Sequence, residues 1–328
     1  MILLESPSTN AAFNLAMEQY IFDCLDNRQE YFMIWQNKNA VIIGKNQNTI
    51  KEINQSFIQK NDIQVIRRLS GGGAVYHDLG NINYTFIVNE TDSRMNLKLF
   101  TKIVSDTLNK LGIHSEISGR NDILIDGKKF SGNAQYHKNH RVMHHGTLMF
   151  HSDLSVLANA LNVSENKIQS KGIESVRSRV ANICDYLSEP LTLGEFKQKF
   201  LDTLFEDIHT TSYDLTSNDI QNILKIKHNI YDTWQWNFGH SPDYMITRSH
   251  RFENCGEIEL CINVEKGIIT SFHTYGDYFS SKPQSELSSI LEGCPYRTDK
   301  IQKALQNVNL NDYFSGLSTQ QFVNYFFS

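Results

Sequence analysis

A run of three glycines between two strand-like segments is the feature that most constrains this chain. The stretch Arg67-Arg68-Leu69-Ser70-Gly71-Gly72-Gly73-Ala74-Val75-Tyr76-His77-Asp78 follows an apolar segment at 63–66 and precedes an alternating one at 82–88. Consecutive glycines at a strand end cost chain entropy, which indicates a backbone with positive φ or the close approach of a ligand. The flanking arginines and the His-Asp pair favour an anion such as a phosphate or a carboxylate. A glycine bulge with solvated arginines is the structural alternative.

Length and composition indicate a globular chain with one large and one small domain. The 328 residues are 40% hydrophobic and carry a formal net charge of −5, so no overall positive field favours nucleic acid. The five cysteines are scattered without a CxxC pair, which argues against a disulfide framework and a zinc site. The first residues lack the basic region of a signal peptide, and no apolar run approaches a membrane span. We therefore expect a cytoplasmic monomer with no nucleic-acid or membrane partner.

Apolar periodicity predicts regular elements on both sides of the glycine run. The expected helices and strands are a helix at 10–25, strands at 31–35 and 40–43, a short helix around 50–57, strands at 63–68, 73–77 and 82–88, and a helix at 96–111. The glycine run is therefore predicted to connect two strands.

A second informative stretch surrounds Asp126-Gly127, a dipeptide typical of a two-residue hairpin turn. This turn is predicted to pair Leu124 with Lys129 and Asp122 with Ser131. Because side chains alternate along a strand, these residues would share one face. Lys129 would then lie beside a carboxylate and a hydroxyl. A surface hairpin whose two lysines are solvated is the alternative.

Two further segments carry polar side chains that could bind a ligand. A strand predicted at 142–150 contains His144 and His145, which would point to opposite faces and are therefore not expected to share a metal ion. The polar connection at 171–180, if extended, would put Arg177 and Arg179 on one face for an anionic ligand or partner. A solvated loop fits that connection equally well.

The sequence pattern of the C-terminal part predicts a small separate domain. Thr192-x-x-Glu195 is a capping box that opens a helix, and Ser217 is expected to cap a helix running to about residue 231. Aromatic residues cluster at 234–238, and we place the boundary just beyond them, giving domains at 1–242 and 243–328. The small domain is predicted to be α+β, with a hairpin at 257–264 and 268–275 followed by helices near 284–292, 298–308 and 318–327.

The motifs point to acyl-adenylate chemistry without a standard nucleotide fingerprint. The glycine run lacks GxGxxG spacing, and Gly127-Lys128 lacks the other residues of a Walker motif. What remains is a bare loop flanked by Arg68 and a hairpin face with Asp122 and Lys129. Such a set could hold a carboxylate against the α-phosphate of a nucleotide with Mg²⁺.

These stretches resemble the lipoate–protein ligase A family of the biotin/lipoyl protein ligase superfamily, and the likeness covers the whole chain. The segments that carry it are the glycine run, Gly119-Arg120-Asn121-Asp122, Lys129-Phe130-Ser131-Gly132-Asn133-Ala134, His144-His145-Gly146-Thr147-Leu148, residues 171–180 and Trp236-Asn237-Phe238-Gly239. The resemblance implies an α+β fold with a central mixed β-sheet flanked by helices, plus a small α+β accessory domain. It also implies two reactions: lipoate and ATP form lipoyl-AMP and pyrophosphate, and a lysine of a lipoyl-carrier domain then accepts the lipoyl group.

The resemblance also implies roles for individual residues. Lys129 corresponds to the active-site lysine, and Asp122 is a candidate carboxylate ligand for the metal ion. The ATP-binding residues implied are Arg68, Gly73, Ala74, Val75, Tyr76, Asp122 and Lys129. The lipoate-binding residues implied are Trp35, Ser70, Gly71, Gly72, His77, Lys129, Gly132 and His145. Since a buried alkyl chain gains about 0.8 kcal/mol per CH₂, we expect octanoate to be activated as well, with a lower kcat/KM.

Alternative functions and the identity of the carrier stay open. A transferase that uses a cysteine nucleophile without ATP would need a thiolate, for which Cys184 is the candidate. A non-catalytic protein that binds lipoate or its carrier is a second alternative. A biotin ligase is a third, which is disfavoured because this sequence lacks the Gly-Arg-Gly-Arg type of loop found in that family. The carrier would be an E2 lipoyl domain or the glycine-cleavage H protein, docked through local charges such as Arg141, Arg177 and Arg179.

Overall fold

The chain packs as two compact units. The computed structural model describes residues 1–90, 97–119, 121–162 and 179–327. The first unit comprises Met1–Gln47 and Asp62–Thr233, and the second comprises Asn48–Asn61 and Trp234–Ser328. The change of unit after Thr233 lies near the expected boundary, but the second unit also takes a segment from the first quarter of the chain. The division at residue 242 stays a prediction.

A mixed sheet forms the centre of the first unit. The strands of this unit are β1 (Ile2–Glu5), β2 (Tyr31–Trp35), β3 (Ala40–Ile43), β4 (Gln64–Arg67), β5 (Val75–His77), β6 (Asn81–Asn89), β7 (Glu116–Ser118), β8 (Asp122–Ile125), β9 (Lys128–Lys138), β10 (Arg141–Met149) and β11 (Thr211–Ser212). Within the described ranges, eight strands join in the order β11-β1-β2-β6-β10-β9-β8-β7. β1 is parallel to both of its neighbours, and the other pairs are antiparallel. The expected central mixed sheet is therefore confirmed.

A small second sheet holds the glycine run. β3 lies between β4, to which it is parallel, and β5, to which it is antiparallel. The segment from Arg68 to Ala74 connects the two outer strands of this sheet. The strands predicted on both sides of the glycine run are thus present.

The helices flank the sheets at close to their predicted positions. They are α1 (Ala11–Cys24), α2 (Thr49–Glu52), α3 (Gln55–Lys60), α4 (Leu97–Lys110), α5 (Leu154–Ala160), α6 (Leu193–Leu204), α7 (Ser217–Ile226), α8 (Gln284–Leu291), α9 (Thr298–Ala304) and α10 (Thr319–Phe326). Thr192 and Glu195 form the predicted capping box of α6. The cap predicted for α7 was wrong by one residue: Thr216, not Ser217, accepts from the Asp219 backbone N–H. In the part of the chain that the structure describes, no helix has the length and apolar character needed to cross a membrane.

The register of the central sheet decides which side chains share a face. Trp35 of β2 and Thr147 of β10 both pair with Asn83 of β6. Two positions along, His145 pairs with Thr85 on one side and with Ala134 of β9 on the other. Since cross-strand partners point to the same side of a sheet, these residues form one continuous face.

The paired histidines diverge as expected. His144 lies on the opposite face from His145, fully buried, with its ring stacked 4.9 Å from that of Phe100. Burial lowers its pKa well below the ordinary value, so this imidazole stays neutral.

The hairpin at Asp126-Gly127 differs from its predicted register at one point. Leu124 pairs with Lys129 as expected, but Asp122 pairs with Gly132 because the register shifts by one residue between Ile123 and Leu124. A bulge of this kind puts an extra residue on one strand and re-aims the side chains beyond it. The predicted placement of Ser131 beside Lys129 was therefore wrong.

The second unit is built on a three-stranded antiparallel sheet. Its strands are β12 (Tyr244–Phe252), β13 (Gly256–Glu265) and β14 (Ile268–Gly276). The apolar face of β13 and β14 packs with residues of α8, α9 and α10 in one core, which also contains Ile50 of α2. The predicted hairpin and its three helices are present. β12 was not predicted because only Ile246 is buried along it, so its sequence shows no alternation.

Candidate active site

A cavity of about 320 Å³ opens on the first unit between the glycine run, α1 and the central sheet. Its lining residues are Leu15, Trp35, Ile42, Arg68, Gly72, Gly73, Ala74, Val75, His77, Asn83, Asn121, Asp122, Lys129, Gly132, Asn133, Ala134, His145, Gly146 and Thr147. Leu15, Trp35, Ile42, His77 and Asn83 are almost completely buried, whereas Gly72 and Gly73 are exposed. The cavity therefore has a buried, mostly apolar end and an open, polar mouth.

Lys129 and Asp122 form an ion pair at the mouth. The Lys129 ammonium lies 2.8 Å from an Asp122 carboxylate oxygen, and the two side chains are 36% and 34% exposed. The carboxylate predicted beside Lys129 is therefore present, although the bulge puts Asp122 opposite Gly132 instead of Ser131. A Cβ at Gly132 would lie 2.9 Å from the Lys129 nitrogen, so the glycine leaves the space that the lysine side chain crosses.

The Lys129 backbone is held by a second segment of chain. Its N–H donates to the Arg179 carbonyl at 2.8 Å, and its carbonyl accepts from the Ala181 N–H at 3.0 Å. Arg177, which was predicted to share a face with Arg179, lies outside the described residues. The strand position of Lys129 is thus fixed from both sides.

Residues 69–74, here called the glycine loop, contribute Gly72, Gly73 and Ala74 to the opposite wall, and Arg68 shapes this loop. The Arg68 guanidinium is 6% exposed and donates to the carbonyls of Gly71 and Gly73 at 2.6 and 2.8 Å. It also donates to the Ile42 carbonyl at 3.2 Å, which ties the loop to β3. Burial lowers the Arg68 pKa to about 10, so the group remains a cation at neutral pH.

Arg67 anchors the chain next to the loop. Its side chain is fully buried and donates to the carbonyls of Gly44, Lys45 and Gln47 at 2.9, 3.0 and 2.7 Å. Burial lowers its pKa to about 10. Because both arginines are buried and bound to backbone carbonyls, the alternative of solvated arginines beside a glycine bulge is wrong.

Two glycines allow the close packing of the loop. Gly72 has φ +92°, and a Cβ there would lie 2.9 Å from the Arg68 guanidinium. A Cβ at Gly44 would collide with the Gly72 carbonyl oxygen. A Cβ at Gly72 would also lie 3.9 Å from the Ala134 side chain of β9. The loop therefore lies directly over the strand that carries Lys129.

A buried hydrogen-bonded chain runs from α1 to the glycine loop. The Glu18 carboxylate, 2% exposed, accepts from the His145 Nδ1 at 2.8 Å and from the Thr85 hydroxyl at 2.6 Å. The His145 Nε2 lies 2.6 Å from the Ser70 hydroxyl, which accepts from the Arg68 Nε at 3.0 Å. This chain links a cavity wall residue, His145, to the cation that shapes the loop.

The buried end of the cavity is organised by Trp35 and His77. The Trp35 indole N–H donates to the Thr85 hydroxyl at 3.0 Å, and its ring contacts the His77 ring edge-on at 6.1 Å between centroids. Burial lowers the His77 pKa to about 3, with further lowering by Arg68 and His145. His77 is therefore neutral at physiological pH.

An asparagine network supports the wall next to Lys129. The Asn133 side chain accepts from the Tyr84 hydroxyl and from His144 Nε2, and it donates to the Asn121 carbonyl at 3.0 Å. Burial raises the pKa of Tyr84, so its phenol stays protonated and donates. A Cβ at Gly146 would collide with both the Tyr84 hydroxyl and the Asn133 amide, so this packing requires glycine.

Most of the residues implied by the resemblance lie in this one cavity. The predicted site residues that line it are Trp35, Arg68, Gly72, Gly73, Ala74, Val75, His77, Asp122, Lys129, Gly132 and His145. Ser70, Gly71 and Tyr76 do not line it; Ser70 and Tyr76 are buried, and the Tyr76 hydroxyl donates to Asn39. Their roles as direct ligand contacts, like the roles of the other site residues, stay predictions.

Sequence reasoning missed eight of the described lining residues. These are Leu15, Ile42, Asn83, Asn121, Asn133, Ala134, Gly146 and Thr147. Five of them, Asn121, Asn133, Ala134, Gly146 and Thr147, lie inside the segments that carry the resemblance, so including every member of those segments would have found them. Leu15 and Ile42 carry no such signal, because an apolar residue on an amphipathic helix or a buried strand is ordinary core.

Among the residues that the structure describes, the cavity lining contains neither a cysteine nor a cluster of three potential metal ligands. None of the five cysteines appears among its described lining residues. Cys184 lies in a short helix, and burial together with Asp185 raises its pKa to about 11, which disfavours a thiolate. The described ranges also contain no group of three His, Cys, Asp or Glu side chains that could hold a metal ion.

The sequence matches known protein families along most of its length. The model for the lipoyl protein ligase A/B catalytic domain matches residues 10–205, and that for the bacterial lipoate protein ligase C-terminus matches residues 241–326. A lipoate-protein ligase of Bacillus subtilis, LplJ, is 43% identical over 329 aligned residues, covering 99% of both chains. This chain belongs to the lipoate-protein ligase family. A lipoate-protein ligase 1 of Staphylococcus aureus is 41% identical, covering 96% of both chains.

Solved structures of this family share the fold. LipL1 of P. falciparum, in complex with lipoate, has a TM-score of 0.61 at 26% identity and covers 98% of this chain and 97% of its own. A lipoate-protein ligase A bound with ATP has a TM-score of 0.63 at 26% identity, covering 73% and 98%. A bi-partite ligase of Thermoplasma acidophilum, described with its E2 lipoyl domain, has a TM-score of 0.64 at 27% identity, covering 73% and 96%. These likenesses confirm the expected fold. Because the family consists of enzymes, the expectation that this protein is an enzyme is also confirmed.

Proposed function

We propose that this protein activates lipoate with ATP to form lipoyl-AMP and then transfers the lipoyl group to a lysine of a lipoyl-carrier domain. One observation carries the proposal: the Lys129 ammonium and the Asp122 carboxylate lie at the mouth of a cavity whose buried end is mostly apolar. A fatty acid enters such a cavity tail first, because the tail gains free energy by burial and the carboxylate does not. Membership in the family and the lipoate-bound and ATP-bound relatives support the same activity.

In the first reaction, a lipoate carboxylate oxygen attacks the α-phosphorus of ATP and pyrophosphate leaves. Two anions must approach each other, and the Lys129 ammonium lies where it can contact both. A fixed cation stabilises the negative charge that accumulates between them in the transition state. The exposed peptide groups of Gly72 and Gly73 leave room on the other side for a nucleotide.

The Arg68 side chain supports this step through the loop. Its hydrogen bonds to the Gly71 and Gly73 carbonyls fix the loop, and its buried positive charge favours an anion at the mouth. We therefore assign Arg68 a positioning role as well as the predicted role in binding ATP.

Mg²⁺ fits the site as part of the nucleotide complex. Asp122 is the carboxylate predicted to bind the metal ion. One of its oxygens pairs with the Lys129 ammonium, and the Asp122 side chain is partly exposed. Because Mg²⁺ in nucleotide sites is commonly held by one or two carboxylates plus phosphates and water, a single carboxylate is sufficient. Mg²⁺ would supply charge neutralisation for the phosphates.

In the second reaction, the amine of the acceptor lysine attacks the acyl carbonyl of lipoyl-AMP, and AMP leaves with the electrons of the cleaved C–O bond. The attacking amine is neutral, and the proton that its nitrogen loses as the amide forms passes to solvent water. Lys129 remains noncovalent and stabilises the negative charge that develops on the carbonyl and on the departing phosphate.

The acceptor is proposed to be an E2 lipoyl domain or the glycine-cleavage H protein. A relative is known with its E2 lipoyl domain, which supports this class of partner. Arg141 is not available for docking, contrary to expectation: it is 4% exposed, donates to the carbonyls of Phe22 and Gln29, and lies over the Tyr31 ring. The monomeric state and the cytoplasmic location stay predictions.

The test is incubation with lipoate, Mg·ATP and each candidate acceptor, followed by mass spectrometry of nucleotide and acceptor. The expected products are AMP, pyrophosphate and an acceptor whose mass is increased by one lipoyl group. ATP–pyrophosphate exchange that requires lipoate distinguishes this enzyme from a non-catalytic binder. Lipoyl transfer from a donor protein in the absence of ATP would instead support the cysteine-dependent alternative.

A further inference from the structure

Two buried nitrogens at the closed end of the cavity have no hydrogen-bond partner within the described ranges. They are His77 Nε2 and Asn83 Nδ2. Their residues are 3% and 1% exposed, and both line the cavity. Buried polar groups in native proteins are almost always satisfied by protein, water or ligand, so each of these two nitrogens requires an explanation.

The hydrogen bonds around His77 decide which of its nitrogens carries the proton. The Asn14 amide donates to two backbone carbonyls, of Ser8 and Gln36, at 3.0 and 2.7 Å, so the group at this position must be its NH₂. The Asn37 Oδ1 also lies 2.9 Å from this nitrogen, and the reversed Asn37 amide would bring two NH₂ groups together, so the Asn37 oxygen faces Asn14. The Asn37 NH₂ is therefore the group that lies 3.1 Å from His77 Nδ1.

Because Asn37 donates to it, His77 Nδ1 acts as an acceptor and carries no proton. The imidazole is neutral, since burial lowers its pKa to about 3. A neutral imidazole has one N–H, which must then be on Nε2. His77 thus presents a hydrogen-bond donor to the cavity.

Asn83 presents its side-chain amide from the sheet. It shares one hydrogen bond of 2.9 Å with the Asn81 amide, and when Asn81 is the donor, Asn83 Nδ2 and Asn81 Oδ1 both lack a partner among the described residues. An acceptor atom in the cavity would select this orientation, because it gives the Asn83 NH₂ a partner. In register, Asn83 lies between Trp35 and Thr147, which also line the cavity. The walls around these two donors include the apolar side chains of Leu15 and Ile42.

We propose that His77 and Asn83 are specificity-determining residues whose N–H groups donate to an acceptor atom at the far end of the acyl tail. This inference rests on the proposed function, and for lipoate the acceptors are the two sulfurs of the dithiolane ring. Sulfur is a weak but polarisable acceptor. A purely hydrocarbon tail would displace water from both N–H groups and give them no partner, which costs binding free energy.

The first experiment needs only the wild-type protein and two acids of the same shape. One is lipoate, and the other is its carbocyclic analogue, in which a cyclopentane ring replaces the dithiolane. We expect the kcat/KM for pyrophosphate release to be about tenfold higher with lipoate, the size of one net hydrogen bond. Equal values for the two acids would overturn the inference. Failure of both acids to release pyrophosphate would instead overturn the proposed function.

The second experiment uses matched variants at His77. His77→Phe removes the donor, whereas His77→Gln keeps an N–H near the position of Nε2; both leave the Asn37 amide without its acceptor. We expect the preference for lipoate over the carbocycle to fall to near unity in the first variant and to persist in the second. Asn83→Leu, measured in parallel, should lower the same ratio by itself.

The control is Ile42→Val, which enlarges the same cavity by one methylene without changing its polarity. It should change kcat/KM for both acids in parallel and leave their ratio as in the wild type. A wild-type ratio in His77→Phe and Asn83→Leu would mean that an ordered water satisfies the two nitrogens, and the inference would be abandoned. If the variants do not fold, the comparison of the two acids on wild-type protein still decides.

Discussion

Lys128 and Lys129 are adjacent in the chain but occupy different environments. Lys128 is exposed at the hairpin turn, whereas Lys129 lines the cavity and binds Asp122 at 2.8 Å. Alternation along the strand separates the two side chains, so one ammonium is solvated and the other pairs with a carboxylate. This difference makes Lys128 the comparison residue for the role proposed for Lys129.

Replacement of Lys129 by alanine should remove both reactions. The variant loses the cation that joins the carboxylate to the α-phosphate, so we expect lipoate-dependent ATP–pyrophosphate exchange to fall at least about a hundredfold. Lipoyl transfer from preformed lipoyl-AMP to the acceptor should fall as well, since the same charge acts there. Both rates are measurable by mass spectrometry.

Lys128→Ala is the matched control for this replacement. It deletes the same side chain one residue earlier, where the side chain is solvated, and should keep both rates within about threefold of wild type. Normal pyrophosphate release by the Lys129 variant would refute the assignment of this residue.

Buried neutral His77 should make stability depend on pH. Its pKa is about 3 in the folded protein and near 6.5 when unfolded, so between these values the unfolded chain binds more protons. The contribution of neutral His77 to the free energy of unfolding is fully present above about pH 6.5, and it is lost progressively as the pH falls towards 3. We expect a loss of about 1.4 kcal/mol per pH unit from this residue below about pH 6.

Urea unfolding of wild type and His77→Gln at several pH values measures this contribution. The variant should show a shallower loss of unfolding free energy on acidification, because glutamine does not titrate. His114→Gln, at an exposed position, is the control and should keep the wild-type slope. Equal slopes for His77→Gln and wild type would show that His77 is not the group responsible.

At the scale of elements, the glycine loop depends on the turn that follows β3. The Gly44 and Lys45 carbonyls accept from Arg67, and the Lys45 N–H donates to the Ser70 carbonyl at 2.8 Å. Gly44 itself lies against the Gly72 carbonyl with no room for a side chain. The conformation of the loop is thus set by packing against another segment as well as by its own glycines.

Gly44→Ala should therefore disturb the loop from outside it. The new Cβ would collide with the Gly72 backbone, which cannot rotate away as a side chain can. We expect a loss of about 1–3 kcal/mol in unfolding free energy and a larger loss in adenylation than in stability. Gly194→Ala in α6, where a Cβ meets no atom within 4 Å, is the control; it should leave adenylation unchanged and should not lower stability, since alanine favours a helix more than glycine does. Wild-type adenylation by Gly44→Ala would contradict this account of the loop.

At the scale of the whole molecule, the second unit is assembled from two distant parts of the chain. Ile50 belongs to its hydrophobic core, and the Thr49 hydroxyl donates to the Asn237 carbonyl at 2.6 Å. Gln59 donates to the Thr298 hydroxyl at 2.7 Å. The segment 48–61 consequently needs the C-terminal residues in order to bury its apolar side chains.

A chain that ends at Thr233 should fold poorly for this reason. It would leave Ile50 and its neighbours without their core, at a cost of about 1.5–3 kcal/mol for each fully buried aliphatic side chain. We expect low solubility and a reduced melting temperature on truncation, and recovery when residues 234–328 are co-expressed as a separate polypeptide. Full-length stability of the truncated chain alone would refute this dependence.

The sequence by itself predicted the elements that have strong local signals. Helix α1, strands β2 and β3 and the hairpin turn at Asp126-Gly127 lie where periodicity and turn chemistry put them. β12 had no such signal, since its solvated side chains do not alternate in polarity. The family was also evident, because several motifs occurred in one order.

Tertiary structure alone decided how the site is assembled. Glu18, Asn37 and Asn83 have ordinary polar side chains whose functions depend on partners distant in sequence, and no local pattern encodes such pairings. The hairpin turn predicted Asp122 beside Lys129, but the bulge that moves Ser131 out of register arises from cross-strand pairing, which a turn motif does not specify. Local composition fixes backbone conformation over a few residues, whereas the donors, acceptors and charges of the cavity acquire their roles only when separate strands and α1 pack together.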